Sequence, residues 1–190
     1  MKITKYLFPA FIVVVLIQLF VPAKMVWDSN AVVTSGETFK FKTQPIDPND
    51  PFRGKYVVLS YEADNIVIKN NVDFEYYEQV YVTLKTAESG FAAIKKVSKT
   101  KPEKTTNYVI ATISQTFAEN DDSTKIYVEY PFDRFYMEES KAKPAEETIA
   151  KSNREEGKTA YAVVKVKNGQ AVIEDVMVDG VSIKEIVENK

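Results

Sequence analysis

The chain has 190 residues, 45% of them hydrophobic, and a net charge of −2, enough apolar material for one domain with a real core. Its 25 basic residues are outnumbered by 27 acidic ones, which is no footprint for nucleic acid. There is no histidine and no cysteine, so a Ser-His-Asp triad, a cysteine nucleophile, an imidazole or thiolate metal site and a disulfide are all excluded. Any catalysis would rest on carboxylates, Lys, Ser, Thr or Tyr, and any protein metal site on oxygens alone. No cofactor is implied.

Residues 6–23 form a run without a charge, interrupted only by Pro9, Gln18 and Pro22. As a helix the run is about 27 Å long, close to the hydrocarbon thickness of a bilayer. The two prolines fall near its ends, where a missing amide proton does least harm. Lys2 and Lys5 precede it, so the positive-inside rule leaves a short tip, 1–5, in the cytoplasm. Lys24 and Trp27 follow and suit the membrane interface. The rival reading is a cleaved signal peptide, with Val21-Pro22-Ala23 offering small residues to a peptidase. Both readings export the remainder of the chain.

Residues 24–37 read as a stalk, and 38–190 as an exported β-rich domain. Thr38–Lys42 alternates apolar and polar residues in the manner of an edge strand. Pro45, Pro48 and Pro51 make the next segment a stiff loop. Gly54 lets the backbone turn out of it into a strand over Tyr56–Tyr61, with Val57, Leu59 and Tyr61 on one face. Val80–Leu84 and Phe91–Ile94 read as a hairpin around Glu88-Ser89-Gly90. A basic connection, Lys95–Lys104, leads to strands over Tyr108–Ile113 and Lys125–Tyr130, joined by the acidic loop Glu119–Asp122. A hinge between two lobes fits near Lys99–Asn107.

Pro144–Glu156 has the signature of one short surface helix, with proline in its first turn and Gly157 beyond its end. Thr159–Lys167 and Gln170–Val178 flank Asn168-Gly169, the strongest short hairpin signal available. Asp179-Gly180 starts a further turn into a strand over Val181–Val187. The fold class is therefore mainly β: an N-terminal transmembrane helix followed by an antiparallel β-sheet domain with one short surface helix.

The stretch from Pro45 to Tyr61, with Arg53-Gly54-Lys55-Tyr56 and then Leu59 and Tyr61, resembles the defining segment of the bacterial GDYXXLXY family. Arg134-Phe135-Tyr136-Met137-Glu138-Glu139 resembles the family's second block, and Val176–Gly180 its terminal block. Lys55 stands where the family pattern has Asp, so a role for a carboxylate there does not carry over. The resemblance implies a membrane-anchored exported protein of the bacterial inner (cytoplasmic) membrane, its domain on the extracytoplasmic side, of uncharacterised activity. It also implies a polytopic membrane protein as a partner, since members often occur beside one.

Read as physics, Asp47 or Asp50 lies within reach of Arg53 and can lock the proline-rich loop through a bidentate ion pair. Asp47, Asp50, Gly54, Leu59 and Tyr61 are on this reading structural. Arg53, Tyr56, Tyr136 and Glu138 form the candidate ligand or partner surface. The alternative is a small envelope hydrolase using carboxylates, Glu138 first, or a Ser-Lys pair involving Ser35 or Ser60. Glutamate pairs such as Glu138-Glu139 are more often a solvated face, and neither Asp47-Asn49-Asp50 nor Glu119–Asp122 follows a calcium-loop spacing. The preferred reading is a single-pass membrane protein whose exported domain binds a membrane partner or an envelope ligand.

Overall fold

The computed structural model describes residues 4–45, 56–69, 73–120 and 122–188. A helix, α1 (Thr4–Ser35), opens the chain, followed by β1 (Glu37–Gln44), β2 (Tyr56–Val58) and β3 (Ser60–Tyr61). Next come β4 (Asn65–Lys69), β5 (Gln79–Thr86), β6 (Ala92–Ser98), β7 (Tyr108–Asn120) and β8 (Ser123–Glu129). The chain ends with β9 (Arg134–Tyr136), α2 (Glu139–Ser152), β10 (Ala160–Lys167), β11 (Gln170–Val178), β12 (Val181–Ser182) and α3 (Ile183–Glu188).

The strands form two antiparallel five-stranded sheets, β12-β11-β10-β1-β3 and β4-β8-β7-β5-β6, and a two-stranded ladder, β2-β9. Alternation explains the first sheet. Ala160, Ala162, Val164 and Val166 on β10 and Phe39 and Phe41 on β1 are all buried, while Tyr161, Val163 and Lys165 between them are half-buried and Lys40 is exposed. The β10–β11 hairpin turns at Asn168-Gly169, both at positive φ, as its sequence requires. Buried residues of both sheets, the ladder, α2 and α3 belong to one cluster, so the domain has one core and no hinge between lobes near Lys99–Asn107. That segment is instead held against its neighbours: Asn168 N–H donates to the Thr106 carbonyl and Leu84 N–H to that of Asn107, at 2.8 and 3.0 Å.

Several elements depart from the sequence reading. β1 is not an edge strand: it lies between β10 and β3, with Thr43-Gln44 paired to Tyr61-Ser60. The strand read over Tyr56–Tyr61 is split at Leu59, so that β2 joins one ladder and β3 another sheet. Lys95–Ser98 continue β6 rather than a loop. Helix α2 begins five residues before Pro144 and ends at Ser152. Its buried stripe, Ala142, Ala145, Ile149 and Ser152, has helical spacing and starts upstream of the proline. Val181–Val187 yields only two strand residues before turning helical, because Ile183 and Val187 are buried four residues apart.

Helix α1 continues without a break past Ala23 and through the segment read as a stalk. Phe8–Ser35 is long and apolar enough to cross a membrane, and most of its large apolar side chains are exposed. Surface of this kind needs an apolar solvent of its own. The end of the helix is different. Val32 is buried against the domain, Ser35 Oγ accepts from Lys167 Nζ at 2.6 Å, and Gly36 N–H donates to the Val32 carbonyl at 2.8 Å. A Cβ on Gly36 would sit 2.4 Å from that carbonyl and 3.1 Å from the carbonyl of Val166. Only glycine lets the helix meet β10 this closely.

Candidate functional site

The strand pair β2-β9 sets Tyr56 opposite Tyr136, Val57 opposite Phe135 and Val58 opposite Arg134. Side chains alternate across it. Val57 and Phe135 are buried in the core, while Tyr56, Arg134 and Tyr136 stand on the outer face. The rings of Tyr56 and Tyr136 lie 5.6 Å apart, and the Arg134 guanidinium covers the Tyr56 ring at 5.1 Å. Arg134 also lies 3.7 Å from an Asp133 carboxylate oxygen. A hydrogen bond with Tyr136, then the Asp133 charge and Tyr56, hold the guanidinium above its ordinary pKa. Tyr136 is 65% exposed. The result is a flat aromatic–arginine platform on a ladder whose two strands pair only with each other among the described residues.

Glu138 follows two residues later, at the start of α2. It accepts from Ser140 Oγ at 3.0 Å and pairs with Lys141 at 3.5 Å, with its side chain 66% exposed. Lys141 bonds Glu188 of α3 as well, at 3.3 Å, and that bond chiefly raises its pKa. A carboxylate this exposed and ion-paired is not desolvated as a general acid requires. The Ser-Lys alternative meets a similar obstacle. Ser60 Oγ accepts from Gln44 at 2.7 Å, and no lysine among the described residues is bonded to it. Ser35 does meet Lys167, but Ser35 is exposed, Lys167 is only half-buried, and the Ser35 hydroxyl donates to the Ala31 carbonyl at 2.7 Å. That pair ties the helix end to β10, with no buried amine to act as base.

Below the platform the first block turns inward. Leu59 is buried, and its N–H donates to the Asp133 carbonyl at 2.7 Å. Tyr61 is buried too, its hydroxyl donating to the Phe132 carbonyl at 2.7 Å. Phe41, Tyr61, Tyr130 and Phe132 pack ring to ring at 5.0 to 6.2 Å, and Tyr130 OH donates to the Ala63 carbonyl at 2.6 Å. Burial pushes both phenols well above the ordinary tyrosine range. Asp47, Asp50, Arg53 and Gly54 lie outside the described residues, so the loop-locking ion pair does too.

The terminal block closes the arrangement. Asp179, at positive φ, exchanges two hydrogen bonds with Thr159, at 2.9 and 3.0 Å. The turn it makes delivers α3 to α2 and puts Lys184 Nζ 5.3 Å over the ring of Phe135. Residues from three separated stretches of the chain thus surround one strand pair, and the matched region in the comparison with family models, residues 18–176, takes in the first two stretches and ends just before Asp179 and Lys184 of the third. The chain belongs to the GDYXXLXY protein family. No curated protein and no solved structure matches it.

In this GDYXXLXY protein the platform joins Tyr56 to Tyr136 and leaves Glu138 to one side. Arg134 is the member that sequence reasoning left out of the surface. The signal was present: Arg134 and Tyr136 are two apart on one strand, so they share a face. What the sequence did not show was that this strand pairs with Tyr56.

Proposed function

We propose that the protein is a single-pass protein of the bacterial inner membrane, crossing it with α1 and holding its β-domain on the extracytoplasmic side, where the domain docks a membrane-protein partner. The positive charges ahead of the apolar run support this orientation. The exposed Tyr136, its ring tilted against that of Tyr56, which the Arg134 guanidinium covers, carries the docking assignment. Tyrosine and arginine are the residues that dominate interface energetics, because they bring large contact area and directional donors at small entropic cost. Glu138, at the start of α2 two residues beyond Tyr136, extends the surface, and Arg53 joins it on the sequence pattern alone. The partner class is the polytopic membrane protein that the family resemblance implies.

Two measurements test the reading. A topology reporter fused to the C-terminus is expected to be active only outside the cytoplasm. Co-purification of the full chain in mild detergent is expected to recover a membrane protein, and Tyr136→Ala to lose it. A reporter active only inside the cell overturns the orientation, and recovery of the chain by itself overturns the docking.

A further inference from the structure

Two tyrosines on a different side of the domain have no role in the platform. Tyr76 and Tyr77 form the turn before β5 and are 64% and 67% exposed. Their rings are 3.9 Å apart, and Tyr76 OH donates to Tyr77 OH at 3.0 Å. Tyr77 holds a φ of 63°, which a bulky L-residue rarely adopts. Short bonds enforce it: Tyr77 N–H donates to the Ile113 carbonyl, Ile113 N–H to the Glu78 carbonyl, and Glu78 N–H to the Glu75 carbonyl, at 3.0, 2.9 and 3.1 Å. Phe74 is buried behind the turn. The turn is therefore a stiff aromatic knuckle rather than a loose loop, held outward at a backbone cost.

Its position relative to α1 identifies what it faces. Tyr77 and Ser29 line the same cleft, of about 560 Å³, together with Thr112, Glu129 and Gln170. Ser29 is two residues from Trp27, or about 3 Å along the helix axis. Trp27 is 78% exposed, and the first charges after the apolar run, Lys24 and Asp28, pair with each other beside it. Indole and phenol rings partition to the headgroup level of a bilayer, with their apolar bodies down and polar tips in the wet layer. Whatever depth Trp27 takes, Ser29 stands about 3 Å further along the helix axis and shares its cleft with Tyr77.

We infer that the Tyr76–Tyr77 turn is a second membrane contact, entering the headgroup layer of the bilayer that α1 crosses and laying the domain against the membrane surface. The inference rests on α1 being a membrane span. Charge is not what drives it, since Lys99, the cation beside the turn, is engaged by Glu78 at 2.9 Å. With Asp73 and Glu75 exposed beside the rings, an uncharged phospholipid surface is the host, and anionic lipid adds nothing to it.

The full chain reconstituted into phosphatidylcholine vesicles, with headgroup-labelled nitroxide lipid as quencher, tests this. Trp27 is the single tryptophan of the chain, so the native protein reports the span alone. Tyr76→Trp in a Trp27→Phe background reports the turn, at an exposed position that accepts the larger ring. Quenching of the introduced indole at least half as strong as that of Trp27, unchanged on adding phosphatidylglycerol, is the expected result. Quenching of Trp27 with none of the introduced indole overturns the membrane contact and leaves the span standing. No quenching of Trp27 overturns both. Quenching at the turn that appears only with phosphatidylglycerol overturns the charge-independent insertion.

Discussion

Tyr61 and Tyr130 couple the centre of the domain to pH. Burial raises both phenols, so the folded state keeps them neutral while the unfolded chain loses their protons near 10.0. The stability they contribute is fully present below that pH and is lost as pH rises above it. Urea midpoints are expected to hold to pH 9 and fall beyond 10, by about 1.4 kcal/mol per pH unit for each phenol. Tyr61→Phe removes one such proton and flattens the fall, at a loss of about 1–2 kcal/mol near neutrality for the Phe132 carbonyl left without its donor. Ser152 invites the opposite change. Its hydroxyl is buried without a hydrogen-bond partner among the described residues, so Ser152→Ala is expected to raise stability by about 1 kcal/mol in the same assay. Tyr136→Ala, on the exposed platform, should leave stability within about 0.5 kcal/mol while reducing partner capture more than about tenfold in pull-downs. At this scale the sequence was informative where alternation alone decides burial, as for Val57, Leu59 and Tyr61. Arg134 escaped because its importance comes from pairing with a strand some eighty residues away.

Among elements, the hairpin of β10 and β11 was legible to within one residue at its start, since Asn168-Gly169 is a local instruction, but the bulge at Val163-Val164 was not. Its tip does more than turn. Gly169 N–H donates to the Tyr108 carbonyl and its own carbonyl accepts from Ile110, at 2.9 and 3.0 Å, so the tip joins one sheet to β7 of the other. A Cβ there would approach Ile110 Cγ1 to 2.9 Å at a φ of +90°. Gly169→Ala is accordingly expected to cost about 1–3 kcal/mol in thermal unfolding, more than either the strain or the contact would by itself. Helix α2 and strand β12 were misplaced for a shared reason. Local signals, a proline and a run of apolar residues, were outweighed by which face the core could reach. Pro144 is accommodated inside α2, and Ala145 beside it is fully buried. The short helix α3 likewise exists because α2 and β11 offer Ile183 a place to be buried.

For the whole molecule, a helix long and apolar enough to cross a membrane could be read from an uncharged run, but the seam between that helix and the domain could not. Val32, Gly36 and Val166 meet across some 130 residues of sequence, and nothing local announces that. A truncated chain beginning at Val26 should melt above one beginning at Glu37, by about 2 kcal/mol of stability, because only the longer one retains Val32. Gly36→Ala in the full chain should loosen the seam while sparing the sheets, read as faster amide exchange confined to residues 32–40. The seam contains no linker. A spanning helix that inclines by roughly 20° in a bilayer of altered thickness would carry the far end of a domain this size through an arc on the order of 10 Å. On the proposed topology such a protein behaves as a lever, with lipid at the short arm and the proposed docking face somewhere along the long one.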